Sequence, residues 1–235
     1  MPNVLGVIPA RGGSRGIPHK NLALVAGRPL LAYTADAVRE SKLLTRTIVS
    51  TDDARIADFA RSMGLEVPFM RPSSLAGDEV PMLPVLQHAV EKLDAEDFRS
   101  DIVVLLQPTS PLRRGEHIDA AVKWLERAGG DSVVSVVEVP HQFNPTSVMC
   151  IEEGLLKPFL DGPTATRRQD KPRVYARNGP AVVATRVQVI KDGSLYGRQS
   201  WPLAMSPEDS LDVDTPWDLR LVEAVLSARS NAHSV

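Results

Sequence analysis

The sequence predicts an α/β fold built on a doubly wound, mainly parallel sheet. Three observations carry that prediction. Apolar runs of strand length alternate with segments whose apolar residues recur at helical spacing. One run, Ile102-Val103-Val104-Leu105-Leu106, is continuously apolar, as expected of a central strand covered on both faces. The first run, residues 4–10, stops abruptly at a glycine-rich basic loop, and ligands of such sheets bind at the carboxyl ends of strands.

The elements follow in order. After the first strand, residues 30–41 read as a helix and 46–50 as a strand. Residues 54–63 are helical and 65–69 form a short strand. Met82, Leu86, Ala89, Val90 and Leu93 make one apolar helix face. The central strand at 102–106 precedes a helix at 117–127 and a strand at 132–137. The loops starting at Arg11, Ser50 and Gln107 then lie together at one sheet edge. The rhythm breaks over residues 140–173, which hold five prolines and two strand candidates, 147–151 and 155–160, joined by Glu152-Glu153-Gly154. That reads as a hairpin-like excursion from the sheet. Thr215, Pro216 and Asp218 suit an N-cap, N1 and N3, so a last helix starts there. Residues 1–228 are expected to form one domain, with 140–173 as its insertion and 229–235 as a frayed tail.

Bulk properties narrow the function. Net charge is −2 with 24% charged residues, which gives no electrostatic case for nucleic acid or membrane partners. No apolar run approaches the roughly 18 residues of a membrane span, and no signal-peptide layout opens the chain, so a cytoplasmic location is expected. The single cysteine, Cys150, leaves no intramolecular disulfide and reads as a small apolar residue of a buried strand.

Five groups carry chemistry. The first is the loop Ala10-Arg11-Gly12-Gly13-Ser14-Arg15-Gly16-Ile17-Pro18-His19-Lys20-Asn21. Its glycines allow backbone N–H groups to approach an anion, and Arg11, Arg15 and Lys20 supply charge. The first acidic residue of the chain is Asp36, so this segment is locally unopposed. The spacing is neither that of a P-loop nor that of a dinucleotide fingerprint. The second group, Gln107-Pro108-Thr109-Ser110-Pro111-Leu112-Arg113-Arg114, follows the central strand and suits a pocket wall. The third, Asp209-Ser210-Leu211-Asp212-Val213-Asp214, alternates Asp212 and Asp214 along extended chain, so both carboxylates can face one hard cation. The fourth is Arg71-Pro72 with Leu75-Ala76-Gly77-Asp78. The fifth runs from Arg167-Arg168-Gln169-Asp170-Lys171 to Arg173, Arg177, Asn178 and Gly179. Each also has a plain reading as a solvated turn, cap or charged face.

Together these groups resemble, in order and over residues 4–226, the acylneuraminate cytidylyltransferase family of CMP-sugar-acid synthetases. The loop matches that family's Ala-Arg-x-x-Ser-x-Gly-hydrophobic-Pro-x-Lys-Asn signature throughout. The resemblance implies a Rossmann-like sheet of the nucleotide-diphospho-sugar transferase type, with the insertion forming a homodimer interface. It implies joining of CTP to a nonulosonic sugar acid, giving CMP-sugar and pyrophosphate for surface glycans, with Mg²⁺ as cofactor and Mn²⁺ as a substitute. Arg11, Lys20, Asp212 and Asp214 would be catalytic, with the metal on Asp212 and Asp214. Ala10, Arg11, Gly13, Ser14, Lys20, Asn21, Arg71 and Asp78 would bind the nucleotide. Gln107, Thr109, Ser110, Arg168, Asn178 and Gly179 would bind the sugar, and Phe143, Arg168 and Lys171 could reach a partner subunit. Two stretches depart from the sialic-acid pattern: Pro180-Ala181-Val182 lacks an aromatic, and residues 140–145 lack a lysine. A Kdo-type or other sugar nucleotidyltransferase, or a non-catalytic sugar-nucleotide binder, stands as the alternative.

Overall fold

The computed structural model describes residues 2–160 and 167–232. In chain order it holds β1 (Val4–Pro9), β2 (Leu24–Val25), β3 (Arg28–Pro29), α1 (Leu30–Glu40), β4 (Arg46–Ser50), α2 (Ala54–Ser62), α3 (Met82–Asp94), β5 (Ile102–Leu105) and α4 (Gly115–Ala128). There follow β6 (Ser132–Glu138), β7 (Met149–Glu152), β8 (Leu155–Pro158), β9 (Tyr175–Arg177), β10 (Val183–Arg186), α5 (Val187–Lys191), β11 (Ser200–Ala204) and α6 (Pro216–Ala232).

The main sheet has the order β11-β6-β10-β5-β1-β4, with β9 added on β6. All six residues of β1 are buried, and alternation sorts them to two sides. Val4 and Ile8 pack with Leu31, Ile56, Ile118 and Leu125 from α1, α2 and α4. Leu5 and Val7 pack with Leu86, Val90, Leu93 and Ile190 from α3 and α5. Helices therefore cover both faces, which makes the sheet doubly wound. Pairs β1–β4, β1–β5 and β11–β6 are parallel, whereas β10 runs antiparallel between β5 and β6.

Several expectations need correction. Residues 65–69 form no strand; they contribute two isolated bridges, Ile48 to Glu66 and Thr51 to Met70. The antiparallel strand β10 was not anticipated, because Ala181-Val182-Val183-Ala184 looks like any short apolar run until its neighbours are known. The tail is helical through Ala232, and Arg229 donates to Asp209 Oδ1 at 2.6 Å. The insertion does form a hairpin, turning at Glu153 and Gly154, both with positive φ. Its strands, however, are largely exposed, and Cys150 is half-buried rather than interior.

Candidate active site

The glycine-rich loop leaves β1 at the carboxyl edge of the sheet and is fixed by its own polar side chains. Ser14 Oγ donates to the Ile17 carbonyl and accepts from the Lys20 amide at 3.2 Å. Asn21 Nδ2 donates to the Arg11 carbonyl at 2.9 Å, and Gly12 N donates to Asp52 Oδ1 at 3.0 Å. Ile17 is buried in a third apolar cluster with Val25, Leu30, Leu112, Val213 and Val222. That cluster ties the loop to the chain carrying the aspartates. Val213 has no exposure, and its neighbours Asp212 and Asp214 turn the other way, toward the loop. Val213 N donates to the Thr109 carbonyl at 2.8 Å, which fixes the segment against the Gln107 loop. At Gly16 the two segments approach so closely that a Cβ would collide with the Asp214 carbonyl.

These segments enclose a cavity of about 550 Å³. Arg11, Arg15, Lys20 and Arg71 bring positive charge; Asp212, Asp214 and Asp78 bring negative charge. Lys20 Nζ donates to Asp214 Oδ1 at 2.8 Å and to the Val213 carbonyl at 2.9 Å. Burial pushes the Asp212 carboxyl above the ordinary carboxylate range, and the charge of Asp214 adds to the rise. Lys20 and a hydrogen bond from Ser110 Oγ, at 3.3 Å, act against it. Gly179, with φ of 112°, brings its backbone against both Ser110 Oγ and the Asp212 carboxylate.

Many of the residues named from sequence meet here. Arg11, Gly13, Ser14, Lys20, Asn21, Arg71, Asp78, Gln107, Thr109, Gly179, Asp212 and Asp214 all line the cavity. The loop is not electrostatically unopposed: Arg11 pairs with Asp78, and Arg15 with Asp78 and Glu79. Arg71 is nearly buried, donating to Ser50 Oγ at 3.1 Å, and desolvation pushes its guanidinium down to about 10.

Other residues stand apart. Ala10 is fully buried and serves the sheet edge through its N–H to the Ser50 carbonyl at 3.0 Å. Ser110 is buried behind the cavity, against Asp212 and Gly179. Asn178 is engaged internally: Oδ1 accepts from Ser135 Oγ at 2.6 Å and Nδ2 donates to Ser210 Oγ at 2.9 Å. Asp209 is buried among Arg114, Arg229 and Ser206. Arg113 supports the loop, donating to the Gln107 and Ala181 carbonyls and to Thr34 Oγ1, and burial pushes it down to about 9. Lys171 Nζ is tied within its own insertion, to the His141 carbonyl and Ser147 Oγ. The side chain of Arg168 lies outside the described residues. Sequence reasoning missed the apolar wall of Leu75, Val80, Met82 and Val85. Met82 and Val85 are one helical turn apart at the start of α3, and that spacing alone reads as core.

Among the described residues no group of three His, Cys, Asp or Glu side chains could hold a metal. Two carboxylates suffice for Mg²⁺, which keeps several waters and shares phosphate oxygens. Asp212 and Asp214 both line the cavity and offer the hard oxygen donors that such a cation takes, so the donor set fits.

The cytidylyltransferase family model matches residues 5–153. A CMP-N,N'-diacetyllegionaminic acid synthase of Legionella pneumophila is 37% identical over 97% of this chain and 98% of its own length. An N-acylneuraminate cytidylyltransferase of Escherichia coli is 31% identical over 93% of this chain, which spans about half (51%) of that relative's length. Among solved structures, a CMP:2-keto-3-deoxy-manno-octonic acid synthetase complexed with CTP shares the fold. Its TM-score is 0.71 at 18% identity, covering 97% of this chain and 99% of its own.

Proposed function

The chain belongs to the cytidylyltransferase family, and from that premise we infer that it joins CTP to a nonulosonic sugar acid. The observation that carries this reading is the charge layout of the cavity. Arg11, Lys20 and the loop amides share one cavity with Asp212 and Asp214, and Lys20 meets Asp214 at 2.8 Å. The anomeric hydroxyl of the sugar attacks the α-phosphorus. A new O–P bond forms, the bond from the α-phosphorus to the bridging oxygen breaks, and pyrophosphate leaves with the electron pair. The hydroxyl proton is lost to solvent.

Such a transfer depends mainly on positioning and charge neutralisation. Arg11 and Lys20 neutralise the triphosphate and the leaving pyrophosphate, and the amides near Gly13 and Ser14 hold phosphate oxygens. Asn21 fixes the loop that presents them. Arg71 holds the nucleotide side of the cavity, Asp78 engages the loop arginines beside it, and the apolar wall at Met82 and Val85 suits the flat face of a base. Gln107, Thr109 and Gly179 border the sugar side, and Ser110 and Asn178 shape it from behind. Asp212 and Asp214 would hold Mg²⁺ or Mn²⁺, which when bound withdraws charge from the phosphate and lowers the pKa of a hydroxyl it touches.

The Legionella relative, matched along nearly its whole length, favours an N-acylated nonulosonate as the sugar. A second copy of the chain is the proposed partner, in the cytoplasm where CTP is made. In the β7–β8 hairpin, Met149, Ile151, Leu156 and Pro158 form one apolar face, and Ile151 is 75% exposed. Phe143, Val148, Phe159 and Leu160 extend the exposed surface. Among the described residues no helix is long and apolar enough to cross a membrane.

Pyrophosphate release from CTP, measured with sialic, legionaminic, pseudaminic and Kdo acids, tests the reading. Turnover is expected with one or more nine-carbon acids. Turnover with Kdo alone, or with none, rejects it.

A further inference from the structure

We propose that Asp78 and Glu79 form a carboxylate strap that competes with phosphate for the arginines of the glycine-rich loop. Asp78 divides its two oxygens: Oδ1 meets Arg11 at 2.5 Å and Oδ2 meets Arg15 Nε at 2.7 Å. The other arm of the Arg15 fork reaches Glu79 Oε1 at 2.8 Å. Two guanidiniums and two carboxylates therefore cancel at the cavity wall, on the loop whose charge phosphate would use. The strap is attached lightly otherwise. Between Leu75 and Val80 its backbone hydrogen bonds are local turns, Leu75 to Pro72, Ala76 to Ser73 and Val80 to Gly77. Asp78 and Glu79 are both exposed, so exchange needs no core rearrangement.

A carboxylate carries one negative charge and a triphosphate several. An anion must outcompete the strap, so a triphosphate gains entry where a monophosphate gains little. The strap thereby sets a charge threshold for the loop and biases the site toward triphosphate and pyrophosphate. Once Asp78 and Glu79 are displaced, the backbone hydrogen bonds of segment 75–80 are local turns, and its two carboxylates no longer hold the loop arginines.

This inference rests on the reading of the cavity as a nucleotide site, and its test separates the two. Calorimetric titrations compare the full chain with Asp78→Asn and Glu79→Gln, using CTP, inorganic tripolyphosphate and cytidine as probes. Asp78→Asn is expected to bind tripolyphosphate and CTP about three- to tenfold more tightly, the scale of losing one or two exposed ion-pair competitors. Cytidine affinity should not change. Unchanged or weaker tripolyphosphate binding by Asp78→Asn overturns the strap and makes Asp78 a supporting residue of the loop. If the wild-type chain binds tripolyphosphate but not CTP, the nucleotide reading fails while the strap still stands on the variant's gain. If Asp78→Asn melts out, Glu79→Gln decides: about twofold tighter binding supports the strap, and no change overturns it.

Discussion

At the scale of single residues, chemistry and structural support divide between neighbours. Val213 is buried, and the residues on either side of it carry the carboxylates of the site. Asp212→Asn or Asp214→Asn should lower kcat by about 100-fold or more, on the scale of removing a main charge stabiliser, while the melting temperature stays near wild type. Steady-state turnover with Mg²⁺ and a melt of each variant check this; near-normal turnover in both removes the metal assignment. In the proposed reaction, Arg11→Ala and Lys20→Ala would remove charge that faces the phosphates. Both should lose activity with every sugar acid in a panel, and a variant that only changed sugar preference would contradict that role. Glycine at position 16 is dictated by the Asp214 carbonyl against it, a constraint that loop composition alone cannot reveal.

At the scale of elements, helix α2 shows how a local signal works. Asp53 caps it, accepting from Arg55 N at 2.8 Å and Ile56 N at 3.4 Å. The Arg55 side chain holds its carboxyl down at about 2, below the usual carboxylate range. Because the folded value is depressed, the stabilisation is fully present above about pH 4 and is lost as pH falls toward 2. Asp53→Ala should cost about 1 kcal/mol at neutral pH. Asp53→Asn should keep most of the cap and lose that acid dependence, and urea melts between pH 2 and 7 read both. The hairpin β7–β8 shows the opposite case. Its turn and pairing are local and readable, yet nothing among the described residues covers Ile151 and Leu156.

At the scale of the whole molecule, that exposed face argues for assembly, since an isolated two-stranded hairpin is marginal in water and most soluble oligomers are twofold dimers. The wild-type chain should sediment at about twice the monomer mass of 25.6 kDa. Ile151→Asp with Leu156→Asp should shift it to monomer and reduce activity. A fully active wild-type monomer at micromolar concentration would remove the dimer.

The strand-and-helix alternation, the loop after β1 and the paired aspartates are legible in the amino-acid sequence, because each is written in local spacing. A continuous apolar run must be covered on both faces, and alternate residues of extended chain must face opposite ways, whatever lies around them. Only the tertiary structure decided that β10 runs antiparallel between β5 and β6, since strand direction depends on partners distant in sequence. It also committed Asn178 and Asp209 to internal hydrogen bonds and ion pairs, and set Asp78 and Glu79 against Arg11 and Arg15. The partners of a charge more than sixty residues away are fixed by how the sheet edge gathers its loops, and that gathering is a property of the packed fold.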